Sequence, residues 1–201
     1  MKVGIVVPVY NEEQTITEVV LPLVFSDNIN KIVVVDDGSK DNTYSRLVSL
    51  KKAAGNKLKI IRLGKNSGKG NAVKVGVDYL NNYHIILLVD ADLIGLSKKH
   101  INDLINKIQI EDFDMVIGLK DKGNSLLNNI MPYFPLNGGE RSFKANVLRD
   151  ILKNPLVEGW GLESVMNDYC KKKELKVGKI MLNGVDHTGM QTKKYGLAAF
   201  I

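Results

Sequence analysis

Ile85-Ile86-Leu87-Leu88-Val89-Asp90-Ala91-Asp92 joins an unbroken apolar run to two carboxylates, and its reading as a buried strand decides the fold. A run this short, apolar at every residue and followed by polar chain, suits a strand covered on both faces. Short, mostly apolar runs rich in β-branched residues recur over 3–9, 32–35, 58–63 and 115–119, as over 85–89. Between these runs, 12–25, 42–54, 69–80 and 99–108 carry apolar residues at helical spacing, several entered through the capping residues Asp41, Asn42 and Ser97. Strands alternating with helices predict an α/β fold, with a mainly parallel central sheet and helices on both faces.

The alternation stops near Lys120. From there to Glu140 come polar residues, a helix-like patch over 126–131, then Pro132, Pro135 and Gly138-Gly139, the pattern of a mobile connection beside a site. Helices over 142–152 and 162–172, a strand over 175–182 and a tail over 184–201 complete the expected body. A length of 201 residues with 44% hydrophobic content suits one domain spanning 1–201. The formal charge of +6 suits an anionic partner, but the lysines are scattered rather than gathered into an arm. A nucleotide, an anionic acceptor or an anionic membrane surface fits that distribution better than nucleic acid. The single Cys170 offers neither an intrachain disulfide nor a zinc spacing, so a cytoplasmic setting is expected. No apolar run reaches the length of a membrane span, which limits any membrane contact to the periphery. A homodimer is compatible with the sequence.

In an open α/β sheet, ligands bind beyond the carboxyl ends of the strands. The residues there are Pro8-Val9-Tyr10-Asn11-Glu12-Glu13, Asp36-Asp37-Gly38-Ser39, Gly64-Lys65-Asn66-Ser67-Gly68-Lys69-Gly70 and Asp90-Ala91-Asp92. The acids can hydrogen-bond a base or ribose, and the glycine-rich loop offers Lys69. The Asp-x-Asp pair is the most informative part: carboxylate oxygens are hard ligands that suit Mg or Mn beside a diphosphate. Spacing by one residue at a strand end turns both side chains to the same side, with Ala91 as a small spacer. Left unneutralised, two such carboxylates would repel each other.

Rival nucleotide motifs fail on inspection. Gly68-Lys69 is followed by Gly70 rather than Ser or Thr, and Leu63 stands where a Walker A loop needs its first glycine. The first strand runs into Tyr10-Asn11-Glu12, without the glycines of a dinucleotide fingerprint or the glycine-rich loop of a sugar-phosphate nucleotidyltransferase.

The ordered set 7–13, 35–39, 66–70 and 89–92 resembles family 2 glycosyltransferases of the GT-A fold. Gly138-Gly139-Glu140-Arg141-Ser142-Phe143, Gly159-Trp160-Gly161-Leu162-Glu163 and Asp186-His187 are similar to the small cytosolic branch related to glucosyl-3-phosphoglycerate synthases. The resemblance implies a metal-dependent transfer of a hexose from a UDP- or GDP-linked donor to a small or lipid-linked acceptor. It implies a nucleotide-sugar-binding half over 1–119 and an acceptor-binding half with the tail over 120–201. Pro8, Tyr10 and Glu12 would line base and ribose, Asp37 would hydrogen-bond one of them, and Lys69 would reach the diphosphate. Asp92 would be the firmest metal ligand, Asp90 would touch ribose or metal-bound water, and His187 would complete the coordination. Gly139, Glu140 and Arg141 would shape the acceptor pocket, with Glu163 facing the acceptor or the reacting sugar as the candidate catalytic carboxylate. Polyprenyl-phosphate glycosyl transfer at a membrane surface and a non-catalytic nucleotide-binding module are the alternatives.

Overall fold

The computed structural model describes residues 1–120, 138–158 and 161–188. Its main sheet has seven strands. They are β1 (Val3–Val9), β2 (Lys31–Asp36), β3 (Leu58–Arg62), β4 (Ile85–Leu88), β6 (Met115–Lys120), β7 (Arg141–Lys144) and β8 (Val177–Leu182). The spatial order is β3-β2-β1-β4-β7-β6-β8. β1 lies parallel to both β2 and β4, with Val6 opposite Val33 on one side and Leu88 on the other. β2 and β3 are parallel, as are β6 and β8. Only β7 runs antiparallel, wedged between β4 and β6. A separate ribbon pairs β5 (Leu93–Ile94) with β9 (Asp186–His187).

Strand alternation sends side chains into two cores. On one face, Ile5, Val7, Ile32 and Val34 pack with Val19 and Leu23 of α1 (Ile16–Val24), Leu47 of α2 (Thr43–Ala54), and Ile101, Leu104 and Ile108 of α4 (Lys98–Gln109). On the other, Val6, Val33, Val35 and Ile86 pack with Val73 and Val77 of α3 (Lys69–Tyr79), Leu148 and Ile151 of α5 (Ala145–Ile151), and Leu162 and Met166 of α6 (Leu162–Lys172). Helices therefore cover both faces, as the unbroken apolar runs require. No helix among the described residues is long and apolar enough to cross a membrane.

Two element assignments change. The helix expected over 142–152 begins only at Ala145, because Arg141–Lys144 is the antiparallel strand, paired along its length with β4 and over Arg141 to Phe143 with β6. The helix expected over 12–25 begins at Ile16. The preceding loop is pinned to its neighbour instead: the Glu12 amide donates to Thr43 Oγ1 at 2.8 Å, and the Asn11 amide donates to Ser39 Oγ at 3.0 Å. Ser97 does cap α4, exchanging hydrogen bonds with His100, and Asp41 Oδ1 accepts from the Thr43 amide at 3.0 Å at the entry to α2. Asn42 occupies the cap position of α2 without a side-chain bond. The helix-like patch over 126–131 lies outside the described residues, as do Gly159, Trp160 and the tail beyond residue 188.

Candidate active site

The carboxyl ends of β1, β2, β3 and β4 surround one cavity of about 290 Å³. β1 contributes Pro8 and, just beyond it, Tyr10 and Glu12; the chain after β2 contributes Asp37. The loop after β3 adds Asn66, Gly68 and Lys69, and the chain after β4 adds Asp90, Ala91 and Asp92. Every residue assigned to the donor from the sequence thus lines the same space. The two aspartates reach it by a different route from strand alternation. β4 ends at Leu88, Val89 still donates to Val6 at 3.1 Å, and a turn at Ala91-Asp92 then aims the carboxylates. Thr15 Oγ1 holds this turn by donating to the Ala91 carbonyl at 2.7 Å.

Asp37 is engaged within the protein. Its Oδ1 accepts from the Ser67 amide at 2.9 Å and from Ser67 Oγ at 2.7 Å, while Oδ2 accepts from the Gly68 amide at 2.8 Å. Its carboxylate therefore shapes the loop that presents Lys69 while also lining the cavity. Gly38 and Gly68 make this arrangement feasible. Both have positive φ, and a Cβ on Gly38 would lie 2.8 Å from the Lys65 carbonyl carbon.

Lys69, the first residue of α3, bridges two acids that are far apart in sequence. Its Nζ lies 2.7 Å from Asp90 Oδ1 and 2.6 Å from Glu163 Oε1, in the first turn of α6. Burial opposes the charge on both Lys69 and Asp90, yet their mutual attraction wins: it raises the Lys69 ammonium and lowers the Asp90 carboxyl from their ordinary values. Behind Asp90 stands Gly139, where a Cβ would fall 1.9 Å from Asp90 Oδ2.

Gly139, Glu140 and Arg141 do not line the cavity. Glu140 and Arg141 are completely buried. Arg141 donates from Nε to the Gly138 carbonyl at 2.7 Å and from Nη1 to Asn167 Oδ1 at 2.7 Å, tying β7 to α6. Glu140 finds no hydrogen-bond donor among the described residues; Lys120 Nζ stands 3.5 Å from its Oε1. Burial and the nearby charge of Asp90 push the Glu140 carboxyl up to about 7, against the pull of Lys120. Lys120 and Asn167 have no sequence signal of their own, since each matters only through a partner across the sheet.

His187 sits on β9 opposite Leu93, and the Thr188 amide donates to the Asp92 carbonyl at 3.0 Å. The tail is thereby brought beside Asp92, with the His187 ring 3.4 Å from Asp186. Among the described residues, no three His, Cys, Asp or Glu side chains gather tightly enough to hold a metal alone. The pair Asp90 and Asp92 nevertheless fits a hard divalent cation of the kind bound by one or two carboxylates and substrate phosphates. Cys170 is inert packing, its thiol pushed up to about 11 by burial.

A parallel sheet with one antiparallel insertion and an Asp-x-Asp turn at its ligand edge defines a glycosyltransferase domain of the GT-A fold. The chain belongs to glycosyl transferase family 2, whose family model matches residues 4–157. A dolichyl-phosphate beta-glucosyltransferase of Dictyostelium discoideum is 24% identical over 225 residues, covering 92% of this chain and 67% of that protein. An uncharacterized protein of Methanocaldococcus jannaschii is 33% identical over 122 residues, covering 57% of this chain and 50% of that one. The matched stretches thus span between half and two thirds of these relatives. Glucosyl-3-phosphoglycerate synthase from Mycobacterium tuberculosis, crystallised with Mn2+, UDP-glucose and phosphoglyceric acid, shares the fold. Its TM-score is 0.73 at 20% identity, over 97% of this chain and 74% of that one.

Proposed function

We propose that this chain transfers a hexose from a UDP- or GDP-linked donor to a small or lipid-linked acceptor, with Mg or Mn held at Asp90 and Asp92. The observation that carries this reading is the one shared cavity into which four strand ends deliver an Asp-x-Asp pair, Lys69, Tyr10 and Glu12. Membership of family 2 supports the reaction class, and the mycobacterial synthase supplies a relative of the same fold that holds Mn2+ and a nucleotide-sugar.

Asp90 and Asp92 would hold the divalent ion, whose chemistry would be to neutralise charge on the departing diphosphate. Pro8, Tyr10 and Glu12 bind base and ribose, with Asp37 acting through the loop it anchors. Lys69 donates to the diphosphate, where positive charge is worth most as negative charge accumulates. Glu163 faces the acceptor, either taking its proton or orienting the sugar. Gly139 and Glu140 back the aspartates from the second half of the chain, and His187 approaches from the tail. A cytoplasmic setting, with peripheral membrane contact where the acceptor is lipid-linked, belongs to the same proposal.

Asp92→Ala should abolish metal-dependent release of UDP or GDP from the donor. A thermal-shift panel of nucleoside diphosphates and their sugars, with and without Mn2+, should find one selective stabiliser. Full metal-dependent release by Asp92→Ala would overturn the assignment, and donor binding without any transfer or hydrolysis would favour a nucleotide-binding module. The dolichyl-phosphate relative favours a second reading, transfer to a polyprenyl phosphate. Co-sedimentation with anionic vesicles and turnover on a lipid phosphate would support it, and failure of both would remove it.

A further inference from the structure

The proposed ligand Asp90 already has a cation. Lys69 Nζ lies 2.7 Å from Asp90 Oδ1 and 2.6 Å from Glu163 Oε1, so one ammonium is shared between two carboxylates. Backbone contacts hold its helix in place: α3 starts at Lys69, its Gly68 amide is fixed by Asp37, and a Cβ on Gly70 would fall 1.6 Å from the Val157 carbonyl oxygen. The lysine side chain, by contrast, is long, flexible and more than one third exposed, and can change partners without moving the helix.

We propose that Lys69 is an exchangeable internal cation: in the donor-free site it competes with the divalent ion for Asp90 and ties Glu163 down, and it leaves both when a diphosphate offers a better partner. This rests on the donor-site reading above and adds an order to it. A divalent ion arriving alone meets a carboxylate already paired with an ammonium, and that ammonium repels the newcomer. A donor arriving with its ion brings a diphosphate to which Lys69 can transfer, freeing Asp90 for the ion and Glu163 for the acceptor. Ion and nucleotide therefore bind cooperatively, and by linkage each strengthens the other by the same factor. Glu163 becomes available only after the donor has bound, so acceptor binding follows donor binding.

The test is Mn2+ binding to the intact protein, read by the EPR signal of free Mn2+, with and without UDP or GDP. Lys69→Met keeps side-chain length and removes the charge, and Lys69→Gln serves as a second neutral variant should the first fold poorly. Without nucleotide, either should bind Mn2+ at least about tenfold more tightly than the wild type, the minimum expected on removing a unit charge from beside the ion. The nucleotide should then enhance Mn2+ binding far less in the variant than in the wild type. Adding Asp90→Asn to Lys69→Met should erase the gain. Unchanged or weaker Mn2+ binding by the neutral variants, or a gain that survives Asp90→Asn, would overturn the exchange while leaving the donor site standing. Absence of Mn2+ binding by the wild type even with both nucleotides would bring down the donor-site reading and this one together.

Discussion

Replacing Asp37 with alanine separates two roles that the sequence could not. If the carboxylate served only the donor, the variant would fold normally and lose nucleotide affinity alone. Its carboxylate instead accepts hydrogen bonds at 2.9, 2.7 and 2.8 Å from Ser67 and Gly68, and the residue is only 3% exposed. Bonds to a charged group contribute about 1.5–3 kcal/mol each, and the loop amides can recover part of this from water once the carboxylate is gone. The net cost should be about 3–5 kcal/mol, which for a domain of this size lowers Tm by about 10 °C. Urea unfolding should give the free energy and differential scanning fluorimetry the shift. Nucleotide affinity should fall in parallel, because the same loop presents Lys69. Asp37→Asn should recover less than half of the loss, since an amide can accept at one position but must turn a donor toward the other N–H. A cost below about 1 kcal/mol with a large loss of donor affinity would refute the anchoring argument.

Three further outcomes follow from close contacts and buried charge. Gly139→Ala would place a methyl 1.9 Å from Asp90 Oδ2, and a displacement of that carboxylate by about 1 Å should lower turnover roughly a hundredfold in a nucleotide-release assay. Gly70→Ala should destabilise by about 2 kcal/mol in urea although alanine is the better helix former, because its Cβ would meet the Val157 carbonyl oxygen at 1.6 Å. Glu140, with its carboxyl raised from 4.5 to about 7, binds its proton more tightly in the folded state than in the unfolded chain. Its contribution to stability is therefore fully present below about 4.5 and declines as pH rises through about 7. Glu140→Gln should flatten that decline and raise Tm at pH 8 relative to the wild type; an unaltered pH profile would refute this.

The inner parallel strands β1, β2 and β4 were legible because they are buried on both faces and so read as nearly unbroken apolar runs, whereas the edge strand β3 carries Lys59 and Arg62. Arg141–Lys144 carries the opposite signal. A charged residue in the middle of the sheet suggests a surface, yet Arg141 is buried because Gly138 and Asn167 satisfy its guanidinium. Nothing in the local pattern of β7 announces those partners. The cavity-lining residues were legible for a related reason, since a carboxyl strand end places neighbours in space at fixed positions in sequence. The Lys69 to Glu163 pair spans 94 positions and joins the first residue of α3 to the first turn of α6, so no spacing rule could find it. Asp37 marks the boundary between these cases: its location was evident, but its occupation depended on how the loop after β3 turns back.

Charge explains why the second half of the chain supplies acids to a site built on the first half. Asp90, Glu140 and Glu163 are set against Lys69 and Lys120, with Asp92 at the same cavity. With the Glu140 carboxyl near 7, protonation of that group removes one negative charge at little cost. Four carboxylates against two ammonium groups leave an acidic site, less so with Glu140 protonated, so a nucleotide-sugar arriving alone adds about two negative charges where negative charge is already in excess. Arriving with a divalent cation it adds almost none, because the ion and the diphosphate of the nucleotide-sugar cancel. The arrangement thus favours the loaded donor over the bare nucleotide-sugar, and Lys69, already seated on Asp90, is the group whose movement makes room for the ion.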